Sequence, residues 1–393
     1  MKRAPGRAIA GKKRLPDITW ETLDEYVLPP IHDYAYFEGG HDHPFLHGAD
    51  EFEAVNAWWL AEASMLAYAQ PPFATPRFRA AGLEHVRFFS TDSTQCYVAH
   101  TDAFVIVAFR GSEIRKRAGA DGRGVGYIVA DWRADLGTGL VDSGRGASVH
   151  RGFKQALDEV WNPRDGADGE EYLGSYLERI ANEGGLRRSV WFTGHSLGGA
   201  LATLAAERYG GAAGLYTFGS PRVGDRAFAD HFSINSYRFV HNDDVVAKVP
   251  PVGLYRAPSI VPKLRLVGSY RHVGRLKYIN STDNEGAVLD DPSLWGRIKN
   301  NFTRVVRNTF NLRHLVSGGK LPGSSLIDHA PIFYATHLWN DYVRDLHRTG
   351  PATIAGGGSP VGGRRMARPG RQHLGGKAVS APRHRSSPIT PGP

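Results

Sequence analysis

The chain has 393 residues, 41% of them hydrophobic and 22% charged, with a formal net charge of +9. These proportions exclude a globally disordered chain and leave room for one large α/β domain or two smaller ones. No segment reaches the roughly 18 uninterrupted apolar residues that a membrane span needs.

The positive charge is unevenly placed. Residues 1–14 hold six basic residues and no acid, and residues 351–393 hold seven and no acid, which leaves 35 basic against 39 acidic residues for the body. A basic surface for nucleic acid is therefore not expected, and no nucleic-acid partner is assigned. The tail "GGGSPVGGRRMARPGRQHLGGKAVSAPRHRSSPITPGP" is rich in Gly, Pro, Ser and Arg and reads as disordered. The expected organisation is a basic disordered N-terminus (1–20), a folded domain (21–350) with an insert at 281–326, and a basic disordered tail (351–393). Cys96 is the only cysteine, so no intrachain disulfide or thiolate metal cluster is expected. The start, "MKRAPGRAIAGKKRLPD", lacks the apolar stretch of a secretory leader, and the default expectation is a cytoplasmic protein.

In chain order, "EAVNAWWLAEASMLAYA" (53–69) predicts a core helix. "AFVIVAFRG" (103–111) is a continuous apolar run ending in glycine, as a strand covered on both faces would be. The glycine- and arginine-rich stretch 112–127 reads as a loop. "VHRGFKQALDEVW" (149–161) opens a helix, and "EYLGSYLERIANEG" (171–184) is another. A strand at "SVWFTG" (189–194) leads into a helix after Ser196, and further strands are predicted at 213–219 and 236–242. Near 266–280 the pattern suggests two strands meeting at Gly274. Strands alternating with helices predict a mostly parallel sheet flanked by helices. Within the insert, 293–316 is amphipathic on a helical wheel, with Trp295, Ile298 and Phe302 on its apolar side.

"GHSLG" (194–198) has the pattern G-x-S-x-G between an apolar strand and an Ala/Leu-rich helix. That setting is the one a nucleophile elbow requires: small residues on both sides let strand and helix approach while the corner serine keeps an unfavourable backbone. A serine hydroxyl needs a base to take its proton, and the base needs an orienting acid. Asp243 and Asp244 follow a strand and are both candidates for the acid. His272, His314, His329, His337 and His347 are candidates for the base, and composition does not choose among them.

Several motifs occur in a fixed order: "VAFRGS" (107–112), "DWRADL" (131–136), "VHRGF" (149–153), "TGHSLGGALATLAA" (193–206), "TFGSPRVGD" (217–225), "NDDVVAKVPP" (242–251) and "IDHAPIFYATHL" (327–338). In this order the sequence resembles the lipase class 3 family, the fungal-type triacylglycerol lipases and their bacterial and plant relatives. The resemblance implies an α/β-hydrolase fold and hydrolysis of lipid or acyl esters through an acyl-serine, with no metal or organic cofactor. It implies Ser196 as nucleophile, Asp244 as acid and His329, in its "DH" pair, as base. It also implies an oxyanion hole from Ser112 and the backbone N–H of Leu197. The partners it implies are a lipid or acyl-ester substrate and peripheral contact with a lipid surface; oligomeric state is left open.

Two departures from the family pattern stand out. Residues 113–130, where fungal relatives carry a short amphipathic lid, are longer here, and their first half is basic and glycine-rich. The insert before His329 is longer too, and its amphipathic helix is expected to shape or cover the acyl site. The competing readings are a catalytically inactive lipid-binding scaffold, which the complete Ser, Asp and His set disfavours, and an acyltransferase using the same residues. Elsewhere, His195 reads as a packing residue, the His41–Asp42–His43–His47 group as a surface loop, Arg222 as a turn residue paired with a carboxylate, and His272 as a hydrogen-bonded sheet histidine.

Overall fold

The computed structural model describes residues 11–15, 26, 29–112, 139–144, 146–162, 171–185, 187–244, 246–250, 270–282, 285–290 and 327–349. The chain divides into two units, Met1–Pro351 and Ala352–Pro393, and the second lies outside the described residues. So do residues 113–130, the stretch compared with the fungal lid, and the stretch 293–316 expected to be an amphipathic helix.

The described elements begin with α1 (Ala54–Leu66) and α2 (Pro71–Ala80), followed by β1 (His85–Ser90), β2 (Gln95–His100) and β3 (Phe104–Phe109). A hairpin of β4 (Leu140–Gly144) and β5 (Ala147–His150) leads to α3 (Arg151–Trp161) and α4 (Leu173–Ala181). Then come β6 (Ser189–His195), α5 (Leu197–Tyr209), β7 (Gly214–Phe218), α6 (Arg226–His231) and β8 (Ser236–His241). The last elements are β9 (Arg275–Thr282), β10 (Glu285–Asp290) and α7 (Pro331–Thr349).

Eight strands form one sheet in the order β1-β2-β3-β6-β7-β8-β9-β10. The centre, from β3 through β6, β7 and β8 to β9, is parallel, and both edges are closed by antiparallel strands. This is the α/β-hydrolase architecture, mostly parallel and flanked by helices as expected.

Alternation along the central strands feeds two cores. Ile106 and Ala108 of β3 and Trp191 of β6 face α1, α2 and α7, while Val105, Val107, Val190 and Phe192 face α3, α4 and α5. Because both faces are covered, these strands are apolar throughout, which is why they read clearly in the sequence. The β1–β2 edge is absent from the sequence reading. Its strands mix His, Arg, Ser and Gln with apolar residues, and the signal that could have found them is the Thr91–Thr94 turn between two alternating runs.

The hairpin expected at Gly274 is displaced. Gly274 (φ 80°) sits just before β9, whose antiparallel partner is β10, so the hairpin lies at 275–290. Residues 281–282 and 285–290 of the expected insert are therefore part of the main sheet. The expected partner at 270–273 instead contributes a single bridge from Arg271 to Gly224.

Part of the basic N-terminus also differs from expectation. Asn340 of α7 donates to the Lys13 carbonyl (2.9 Å) and accepts from its N–H (2.8 Å), and Trp339 donates to the Gly11 carbonyl (2.9 Å). The Lys13 ammonium reaches the buried Glu62 of α1 at 3.0 Å, beside the rings of Tyr34, Trp58 and Trp339. Glu62 also accepts from Tyr34, Trp58 and the Phe37 N–H. A basic residue can leave water here because a buried carboxylate and aromatic faces replace its hydration. Lys13→Met leaves that carboxylate without its cation and should cost about 3 kcal/mol, read as a lowered urea midpoint.

Candidate active site

Ser196 stands where β6 ends and α5 begins, with φ 58° and ψ −130°. A non-glycine residue holds such a backbone only when its surroundings impose it. Two features do so. The Ser196 N–H donates to the Phe218 carbonyl (2.9 Å), continuing the pairing of β6 with β7. The glycines on either side then permit close contact, since a Cβ on Gly194 would collide with the Gly198 carbonyl and one on Gly198 with the Phe109 carbonyl. Leu197 opens α5, where backbone N–H groups lack intrahelical partners and favour negative charge.

Asp244 lies in the turn after β8 and is fully buried. One oxygen accepts from the Val246 N–H (2.8 Å); the other accepts from His329 Nδ1 (2.8 Å) and the Tyr334 hydroxyl (2.5 Å). Burial alone would raise its pKa, but the charge and hydrogen bond of His329 and the hydroxyl of Tyr334 outweigh burial and hold it below the usual carboxylate value. Asp243 beside it is only half-buried and pairs with Lys248 at 3.2 Å. The structure thus brings Asp244, and not Asp243, to the histidine.

His329 closes the short 3-10 turn Ile327–His329, immediately before α7. Its ring lies against that of His195, centroids 4.4 Å apart, which brings it beside the residue preceding Ser196. Among the described residues no hydrogen bond joins the His329 ring to the Ser196 hydroxyl. Nucleophile–base contacts are often looser without substrate. Ser112 is half-buried and follows Gly111, where a Cβ would stand 2.8 Å from the His195 carbonyl, so this loop borders the serine corner.

The other candidate bases lie elsewhere. His272 is half-buried and directed at the Ala247 carbonyl (2.8 Å); desolvation and then Arg238 and Arg222 lower its pKa to about 3. His337 is buried against His241 and Phe333, its pKa lowered to about 3 by burial and then by His241. His347 is exposed near the end of α7, and His314 lies outside the described residues.

Three side readings need correction. Arg222 donates to the main-chain carbonyls of Lys248 and Pro250 rather than to a carboxylate, which fastens the loop after Asp244. In the 39–51 loop, His43 is buried between Trp339 and Tyr342, and among the described residues no group of His, Cys, Asp or Glu could hold a metal. His195 does more than pack: both ring nitrogens are hydrogen-bonded, to the Tyr68 hydroxyl and the His329 carbonyl.

Sequence reasoning also missed Tyr334 and Tyr68. Tyr334 lies on α7, five residues after His329, and neither it nor Tyr68 carries a local signal in the sequence.

Residues 106–254 match the lipase (class 3) family. Among the relatives is the secreted mono- and diacylglycerol lipase A of Penicillium camembertii, 34% identical over 211 residues, which are 50% of this chain and 56% of that protein. A lipase of Rhizomucor miehei is 32% identical over 188 residues, 43% of this chain and 45% of its own. The chloroplastic phospholipase A1-Igamma1 of Arabidopsis thaliana is 38% identical over 118 residues, 25% and 23% of the two chains. The chain spans about half the length or less of these relatives. Among solved structures, the mono- and diacylglycerol lipase of Aspergillus oryzae is 22% identical, with a TM-score of 0.47 over 74% of this chain and 99% of that one.

These relatives overturn the cytoplasmic expectation. Relatives from two fungal genera are named as secreted. That expectation was a default drawn from the first residues, which lie outside the matched stretch 106–254.

The geometry of the corner yields a direct check. Gly198→Ala forces a methyl group into the Phe109 and Arg110 main chain and should lower stability by about 1–3 kcal/mol in denaturant unfolding. Over residues 106–254, then, the chain matches the lipase (class 3) family, the family that the order of its motifs resembles.

Proposed function

We propose that the protein is a serine hydrolase that cleaves carboxylic esters of lipid or acyl type. The observation that carries this reading is the buried Asp244–His329 pair set beside a serine on a strained strand-to-helix corner. Ser196 Oγ attacks the ester carbonyl carbon while His329 Nε2 takes its proton. Asp244 holds the ring in the tautomer with Nδ1 protonated and stabilises the imidazolium. The tetrahedral oxyanion is met by the Leu197 N–H and by Ser112. The carbon–oxygen bond to the alcohol breaks, His329 returns the proton to the leaving alkoxide, and an acyl-serine remains. Water then repeats the sequence and releases the acid.

The domain spanning 21–350 belongs to the same proposal. So does a lipid or acyl-ester substrate met at a lipid surface, a reading supported by relatives named as lipases and a phospholipase A1.

A fluorophosphonate probe should label the protein, and Ser196→Ala should abolish both labelling and hydrolysis of p-nitrophenyl butyrate; labelling that survives this substitution overturns the reading. A second expectation concerns pH. The Tyr334 hydroxyl is one of the groups that hold the Asp244 carboxyl below its usual value, so Tyr334→Phe lets that carboxylate take a proton at higher pH, and the acid limb of kcat/KM should move upward.

A further inference from the structure

The turn that carries His329 is held through its main chain as well as through its ring. Consecutive carbonyls, those of Asp328 and His329, each meet an imidazole nitrogen. His195 Nε2 lies 2.7 Å from the His329 carbonyl, and His241 Nδ1 lies 2.9 Å from the Asp328 carbonyl. A carbonyl only accepts, so each of these nitrogens carries the proton.

The opposite nitrogens are occupied in the complementary sense. His195 Nδ1 lies 2.9 Å from the Tyr68 hydroxyl, which donates to it. Burial, then the neighbouring His329, pushes the His195 pKa well below that of free imidazole and keeps the ring neutral. His241 Nε2 lies 2.6 Å from Ser281 Oγ and 2.9 Å from Asn242 Nδ2, both able to donate. Both rings are almost wholly buried. Each tautomer is set from behind by a partner on a different element.

The origin of these two residues gives the arrangement its sense. His195 ends β6 and immediately precedes Ser196; His241 ends β8, three residues before Asp244. The Asp328 carboxylate adds a third tie, accepting from the Asp243 N–H (3.3 Å) and Asn242 Nδ2 (3.4 Å).

From this geometry we infer that His195 and His241 are positioning residues for His329: their ring N–H groups fasten the base's turn to the strand bearing the nucleophile and to the strand bearing the acid. The inference rests on the roles proposed above for Ser196, Asp244 and His329. A base displaced by about 1 Å costs up to roughly 100-fold in rate, so fastening its main chain matters as much as orienting its ring.

Amide substitutions test this, because their nitrogens fall at different places. The Asn side-chain nitrogen stands near the Nδ1 position of histidine, and that of Gln stands near Nε2. His195→Gln therefore keeps the donor to His329 and His195→Asn loses it; at 241 the order reverses, with His241→Asn keeping the donor and His241→Gln losing it. With the full chain and p-nitrophenyl butyrate, kcat should be at least about tenfold higher for H195Q than for H195N, and for H241N than for H241Q, at similar KM. Thermal midpoints should not follow this crossed order, since a role in packing alone responds to volume and polarity and not to which nitrogen is kept. Equal kcat within both pairs, with Ser196→Ala inactive, overturns the inference and leaves the hydrolase reading standing. Turnover that survives Ser196→Ala overturns that reading and the inference with it. For an amide variant that does not fold, Tyr68→Phe serves instead. It keeps His195 but removes the hydroxyl that sets its tautomer, so kcat should fall at unchanged KM, and an unchanged kcat overturns the inference.

Discussion

The close approach of α5 to the ends of β3 and β6 is the constraint on which the rest of the site depends. It requires that Gly194 and Gly198 carry no side chain, because the space a Cβ would need is filled by main-chain atoms that cannot withdraw. Given that contact, Ser196 has nowhere to go but the corner, with a backbone that most residues avoid. The start of the helix is brought to the same point, so the serine hydroxyl and the first N–H groups of α5 share one edge of the sheet.

Around this rigid corner the other candidate groups are held by links that each join two elements. Asp244 is reached from α7 by Tyr334 and from the turn before α7 by His329. The loop after Asp244 is fastened by Arg222, which spends its donors on two carbonyls of that loop. The carboxylate is buried yet ionised, because three donors replace the water it loses. Such an arrangement keeps an imidazole in one orientation.

The N-terminal residues reach the same part of the molecule. Lys13 binds Glu62 of α1 and, through its main chain, Asn340 of α7. These two helices lie together on one face of the sheet, and α7 follows His329 directly. A segment that composition marks as merely basic thus helps to hold the helix behind the proposed base.

The strands at 104–109, 189–195, 214–218 and 236–241 and the helices at 54–66, 151–161, 173–181 and 197–209 were legible in the sequence because each is a local pattern: an apolar run covered on two faces, or a run of helix formers with an apolar face. Ser196 was legible for the same reason, since its signature is a short string of small residues between a strand and a helix. The choice of Asp244 over Asp243 and of His329 over His272 or His337 came from the resemblance and not from the residues. What separates these side chains is which of them meet across 85 positions of chain, and adjacent aspartates look alike until the turn points one inward. The partners of His195 and His241, the place of Tyr334 and the burial of Lys13 were decided only by tertiary structure. Hydrogen bonds between distant segments leave no periodicity in a sequence; they exist once the sheet has brought strand ends and helix starts to a single edge.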